Sequence, residues 1–171
     1  MKKPTKESIR IAGYISEFLN NYVLSQKTDS MNTLKSYRDT LALYLTYLEE
    51  EKKVQCGSLS ADAFHHTVIE EWLAWLQKSR KNSPDSCNNR LAALRAFLKY
   101  LSGRDAAYLH LYLEASEIPR RKCLKKKVVG LTREAVKALM EAPDPSSKCG
   151  RRDLAFIILL YSTAARLDEI L

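Results

Sequence analysis

Leu91, Leu94, Leu98 and Leu101 stand three and four residues apart, the spacing that lines up one face of an α-helix. Stripes of this kind recur along the chain and constrain its fold more than any other feature. Ile15, Phe18, Leu19 and Tyr22 form one, Leu34, Tyr37, Leu41, Tyr44, Leu45 and Leu48 another, and Ile69, Trp72, Leu73 and Leu76 a further one. An amphipathic helix cannot bury its apolar face alone, so consecutive stripes predict helices packed on one another. Only five Gly and five Pro occur in 171 residues, too few for the hairpins of a sandwich or barrel. The fold class is therefore expected to be all-α. Apolar residues make up 46% of the chain, enough for a buried core and too many for a disordered chain.

Punctuation gives the expected boundaries. Ser30 stands where an N-cap is wanted, and Thr67-Val68-Ile69-Glu70 reads as a capping box opening the third helix. Ser83 followed by Pro84 opens the fourth, Gly103 is expected to stop it, and a shorter fifth runs from about Ala106 to Ser116. Further on, Thr132 caps a segment carrying Val136, Leu139 and Met140. Leu154 to Tyr161 is apolar on all sides, which predicts a helix inside a core. Ser162 and Thr163 are N-cap candidates for a last helix over Ala164–Leu171, which reaches the end of the chain without a stop signal and so reads as cut.

The charge has a location. Lys and Arg number 28 against 20 Asp and Glu, a net of +8, yet residues 117–127 alone hold six cations and one anion. Ile118 to Gly130 lacks helical periodicity and reads as a basic linker. The expected organisation is a helical domain over 1–116, a linker over 117–130 and a further helical portion over 131–171. Such a charge balance points to an anionic partner, nucleic acid first and a membrane surface as its rival. The basic start, Met1 to Lys6, is followed by Glu17, Asn20 and Asn21, so no signal-peptide core is expected, and the apolar run at 154–161 is far short of the ~20 residues a span requires. The location expected is cytosolic. Cys56, Cys87, Cys123 and Cys149 are isolated, which predicts reduced thiols and no zinc site. His65 and His66 would diverge on a helix and are expected in a loop or at the surface.

Two stretches carry a family resemblance. Gly150-Arg151-Arg152-Asp153-Leu154-Ala155 through Leu160-Tyr161-Ser162-Thr163-Ala164-Ala165-Arg166-Leu167-Asp168-Glu169 resembles the opening of the catalytic domain of tyrosine recombinases, the phage integrases. There an Arg-Asp pair precedes a buried helix ending in Leu-Tyr, then Thr-Gly-Leu-Arg, with a Glu three residues later. Ala164 stands where the family has Gly; alanine suits a helix start, so little harm is expected. Upstream, Thr33 to Tyr37 with Leu41, and Asn89-Arg90-Leu91 through Leu94-Arg95-Ala96-Phe97 to Tyr100-Leu101, are similar to the family's core-binding domain. The resemblance thus implies a SAM-like bundle of four to five helices, a basic linker and the first helices of an integrase-type catalytic domain.

It also implies a chemistry. In this family a tyrosine attacks a DNA phosphodiester and forms a 3′-phosphotyrosyl link, with neither metal nor nucleotide cofactor. Arg166 matches the first catalytic arginine, whose planar guanidinium can grip two phosphate oxygens, and Glu169 matches a carboxylate that holds the site together. The lysine, the His-x-x-Arg motif and the nucleophilic tyrosine would lie beyond Leu171, so the portion in hand is expected to bind DNA without recombining it. The family's core-binding domain lays its second and fourth helices on duplex DNA. Their counterparts offer Thr33, Lys35 and Ser36 on one helix and Ser86, Asn88 and Asn89 on the other, while Arg120, Arg121, Lys122, Lys125, Lys126 and Lys127 of the linker would neutralise phosphates. The partners implied are double-stranded DNA and other copies of the recombinase, as a tetramer in the synapse, at the bacterial nucleoid. Two other classes fit the bulk composition: a non-enzymatic helical DNA-binding module or accessory regulator, and a helical protein-interaction domain.

Overall fold

The computed structural model describes residues 3–27, 30–123, 130–166 and 169. The described residues are helical throughout their regular structure, with no strand, as the stripes predict. The helices are α1 (Lys6–Glu17), α2 (Met31–Glu50), α3 (His66–Lys78), α4 (Pro84–Arg104), α5 (Leu109–Glu117), α6 (Arg133–Glu141) and α7 (Lys148–Thr163). The chain divides into two compact units, Met1–Leu124 and Lys125–Leu171.

The first unit is a bundle of α1 to α5. Thr5 Oγ1 accepts the Ser8 N–H at 3.1 Å and caps α1, which continues into a wider π-helical stretch over Phe18–Lys27. Phe18 at that junction is wholly buried and meets the rings of Tyr37 on α2 and Phe97 and Tyr100 on α4, at 5.5, 5.5 and 5.3 Å. From Phe97 the aromatic contacts run on through Phe64 and Tyr44 to Trp72 on α3, so one line of rings crosses the core. The stripe leucines of α4 and the stripe residues of α3 are all buried, as their spacing predicts.

Local start and stop signals are corrected at two places. The capping box at Thr67 does not form: the N-cap lies two residues earlier, at His65 in extended conformation, so Thr67 falls inside the first turn of α3. A carboxylate arrives from elsewhere, Glu114 of α5, whose Oε2 sits 3.5 Å from the His66 N–H. Gly103 does not stop α4 but lies in its last turn; the helix ends after Arg104, and Asp105 turns the chain by accepting the Ala107 N–H at 3.0 Å.

In the second unit, Thr132 caps α6 as expected, its Oγ1 accepting the Ala135 N–H at 3.2 Å. Ser147 caps α7, and Gly150 is pressed so close to Asp144 that a Cβ would stand 1.8 Å from that residue's carbonyl oxygen. The full burial expected for Leu154 to Tyr161 is not found: Ile158, Leu159 and Tyr161 are 47, 43 and 64% exposed. Among the described residues of this unit α6 is the one helix available to cover α7, and a single neighbour shields a single face.

The expected helix start at Ser162 and Thr163 is also overturned. α7 runs through Thr163, and Ala164 closes it at φ 51°, ψ 23°, with its N–H on Leu160 O at 3.0 Å. This is the left-handed cap that glycine favours, and an L-residue there costs about 1–2 kcal/mol. The expectation that alanine is harmless at this position therefore fails, because the residue ends one helix instead of starting another.

Candidate nucleic-acid interface

The first turns of α2 and α4 lie side by side and form a groove. Asn32, Lys35, Ser36 and Asp39 line it from α2, and Ser86, Asn89 and Arg90 from α4. Both sets follow helical spacing, i, i+3, i+4 and i+7 on α2 and i, i+3 and i+4 on α4, so each is one continuous face. Ser83 Oγ fixes the start of α4 by accepting the Ser86 N–H at 3.2 Å, and Pro84 occupies its first position. Two cations, Lys35 and Arg90, face one carboxylate, Asp39, and both helix N-termini bring their positive dipole ends to the same place. Arg90 Nε is buried without a hydrogen-bond partner among the described residues. An unpartnered guanidinium N–H, together with hydroxyls and an amide at the positive ends of two helices, suits an anion with several oxygens, such as a phosphate.

Of the residues read from the sequence, Lys35, Ser36, Ser86 and Asn89 are brought together here. Thr33 and Asn88 are not. Thr33 is half-buried beside the groove face. Asn88 is two residues from Ser86, roughly 200° around the helix, and points the other way. Its amide clamps a strap without regular structure: Nδ2 donates to Arg121 O at 2.9 Å and Oδ1 accepts the Arg121 N–H at 2.8 Å. Nδ2 also lies 3.2 Å from Cys123 Sγ. Arg90 was missed by the sequence reading, although its position four residues after Ser86 on a helix places it on the same face.

The strap is the first part of the basic segment. Ile118 is buried, and its carbonyl accepts from Arg95 Nη2, while Arg95 Nε donates to Ala115 O at 2.7 Å. Burial lowers the pKa of the Arg95 guanidinium from its ordinary value, with repulsion from Arg120 adding to the effect. Arg120 and Lys122 are exposed, whereas Arg121 between them is half-buried with Nε unpartnered among the described residues. Burial also raises the pKa of the Cys87 thiol, against the pull of Arg121 and Arg90 nearby. Lys125, Lys126 and Lys127 lie outside the described residues.

In the second unit Arg166 follows the left-handed cap. Its side chain is 87% exposed, with Nη1 3.3 Å from Glu169 Oε1. Glu169 Oε2 also accepts the Arg166 N–H at 2.7 Å, and the Glu169 N–H donates to Arg166 O at 2.9 Å. One carboxylate thus holds both the backbone and the guanidinium of Arg166 and leaves the arginine open to solvent. Just upstream, Arg151 Nη1 reaches Ser146 O at 2.9 Å and Arg152 pairs with Asp153 at 2.7 Å.

Comparison with known proteins places the sequence in a family. The family model for the phage integrase N-terminal SAM-like domain matches residues 15–105, more than half of the chain. The protein y4rD of Sinorhizobium fredii, named as an integrase/recombinase, is 28% identical over 95% of this chain and 58% of its own length. Its companion y4rC is 30% identical over 94% of this chain and 48% of its own length. The tyrosine recombinase XerD of Listeria innocua is 29% identical over 91% and 50%. The chain therefore spans about half the length of the curated relatives it matches. No solved structure gives a significant match.

Proposed function

This chain belongs to the phage integrase family, and we propose on that footing that it is the DNA-binding N-terminal portion of a site-specific tyrosine recombinase. The observation that carries the reading is the groove at the paired N-termini of α2 and α4, where Lys35, Arg90, Ser36, Ser86 and Asn89 converge. In this reading those side chains hold the phosphate backbone and the edges of the bases of one duplex segment, while Arg120, Lys122 and the lysines at 125–127 add contacts along the connector. Arg121 contributes charge from a backbone pinned by Asn88, and Thr33 lies at the margin.

The longer protein would cut and rejoin DNA through a 3′-phosphotyrosyl intermediate. Arg166 would grip the non-bridging oxygens as negative charge develops at phosphorus, and Glu169 would keep it aimed by holding its backbone N–H and one guanidinium nitrogen. That reaction calls for no metal or nucleotide. The nucleophilic tyrosine, the lysine and the His-x-x-Arg motif are expected beyond Leu171, together with a tetrameric synapse of recombinase copies on DNA, in the cytoplasm at the nucleoid. No helix among the described residues is long and apolar enough to cross a membrane.

Fluorescence anisotropy with a labelled duplex, titrated across salt concentrations, tests the groove. Replacing Lys35 and Arg90 together with Ala should weaken binding and reduce the slope of log K against log salt by about 2. An unchanged slope would exclude the groove as the phosphate-binding surface.

A further inference from the structure

All three histidines of the chain gather at one place in the first unit, on the side where α3 begins beside α5. Within a helix, the adjacent His65 and His66 would diverge. They converge because the helix starts between them: His65 is the extended N-cap and His66 the first helical residue, so their directions are not those of neighbours within a helix. His65 Nδ1 lies 3.0 Å and His66 Nδ1 3.1 Å from the same atom, Glu114 Oε2 of α5. These three potential ligand atoms all lie within 4.8 Å of one another. His110, one turn before Glu114 on α5, sets its ring 5.9 Å from that of His65, tilted by 53°.

We propose that His65, His66 and Glu114 form a binding site for a borderline divalent transition ion of the Zn²⁺ class, which clips the start of α3 to α5. Two imidazoles and one carboxylate form an N/O donor set of the type this ion takes, usually with a fourth position filled by water. Bonds of about 2.0–2.1 Å around a tetrahedral ion put neighbouring ligand atoms roughly 3.3 Å apart. The two edges to Glu114 Oε2, at 3.0 and 3.1 Å, need to widen by a few tenths of an ångström, and the third, between the two imidazole nitrogens and within 4.8 Å, has to settle at the same length. Both rings already present the same nitrogen inward, and the side chains are 40, 49 and 33% exposed, so an ion can reach them and keep a water. The ligands stand on two helices that pack together, and the tie closes a loop of almost fifty residues between His66 and Glu114. A clip of that kind stabilises the folded bundle by binding it and not the unfolded chain.

Co²⁺ and Zn²⁺ titrations of the full chain test the proposal. Saturable binding of one ion is expected, with Co²⁺ showing the visible bands of an N/O ligand set and no thiolate charge-transfer band from the cysteines. Zn²⁺ should raise the melting temperature, and EDTA should reverse the rise. Glu114→Gln keeps a hydrogen-bond acceptor for both histidines but is a poor ligand, and it should weaken binding by at least about tenfold. His66→Gln should do the same and serves as an independent variant should Glu114→Gln fold poorly. Absence of saturation, thiolate-dominated Co²⁺ spectra, or wild-type affinity in a folded variant would each overturn the site.

Discussion

Replacing Asn88 with Ala removes both hydrogen bonds that hold the backbone of Arg121 against α4, at 2.9 and 2.8 Å. A net contribution of about 0.5–1.5 kcal/mol for each gives roughly 1–3 kcal/mol for the pair. The strap is partly exposed, so once released its N–H and C=O regain water, and the loss belongs nearer the lower figure. Since about 1.4 kcal/mol is a tenfold change in an equilibrium, a loss near the lower figure makes opening of the strap roughly 5- to 10-fold more frequent. Hydrogen exchange resolved at the Arg121 amide reads this directly, because that N–H is the one Asn88 Oδ1 accepts. Amides of Leu94 and Leu98, deep in α4, should keep their wild-type rates, which separates undocking of the strap from loss of the bundle. Asn88→Asp retains the acceptor for the Arg121 N–H but repels its carbonyl, so its exchange rate should fall between the other two. The argument fails if Arg121 exchanges equally fast in wild type and Asn88→Ala.

Four further outcomes can be checked. Replacing Lys125, Lys126 and Lys127 with Ala should lower the slope of log K against log salt by up to about 3 in a DNA titration, and an unaltered slope would remove them from the contact surface. Phe18→Ala opens a cavity where three helices meet, and urea unfolding followed by circular dichroism should show a loss of about 3–5 kcal/mol; a loss under 1 kcal/mol would mean the aromatic line is not a shared core. Ala164→Gly should relieve the left-handed cap by about 0.5–1 kcal/mol after glycine's greater chain entropy is counted, seen as a higher protection factor at the residue-164 amide; a lower factor would contradict the strain. Iodoacetamide should modify exposed Cys56 and Cys149 well before Cys87, whose thiol is buried and raised in pKa; equal rates by mass spectrometry would refute that burial.

The bundle was legible because its signal is periodic. Each of Ile69, Trp72, Leu73 and Leu76 on α3 repeats the information carried by the others, so a single misplaced residue does not change the reading. Caps have no such redundancy. Thr67 looked like the start of α3 because Glu70 follows at the right distance, yet the carboxylate at that helix start comes from Glu114, far along the chain. Nothing local to residues 65–70 encodes that partner. Ala164 misled for a related reason: a small residue after Ser162 and Thr163 fits a helix beginning or a helix end, and the end was settled by how far α7 runs.

The interface was half legible for a geometric reason that lies in α4 itself. The reading of Ser86, Asn88 and Asn89 as one DNA-facing set treated the first turn as a patch, when it is a cylinder with two working sides. Ser86, Asn89 and Arg90 fall on the side that faces α2, and Asn88 falls on the side that receives the strap. The same turn therefore fixes the groove and also anchors the basic segment that follows α5. Loss of Asn88 should then act on DNA binding through the position of Arg120 and Lys122 and not through a lost base contact. Asn88→Ala should weaken binding to all duplexes alike, whereas a change confined to one sequence would show that the side chain reads bases after all.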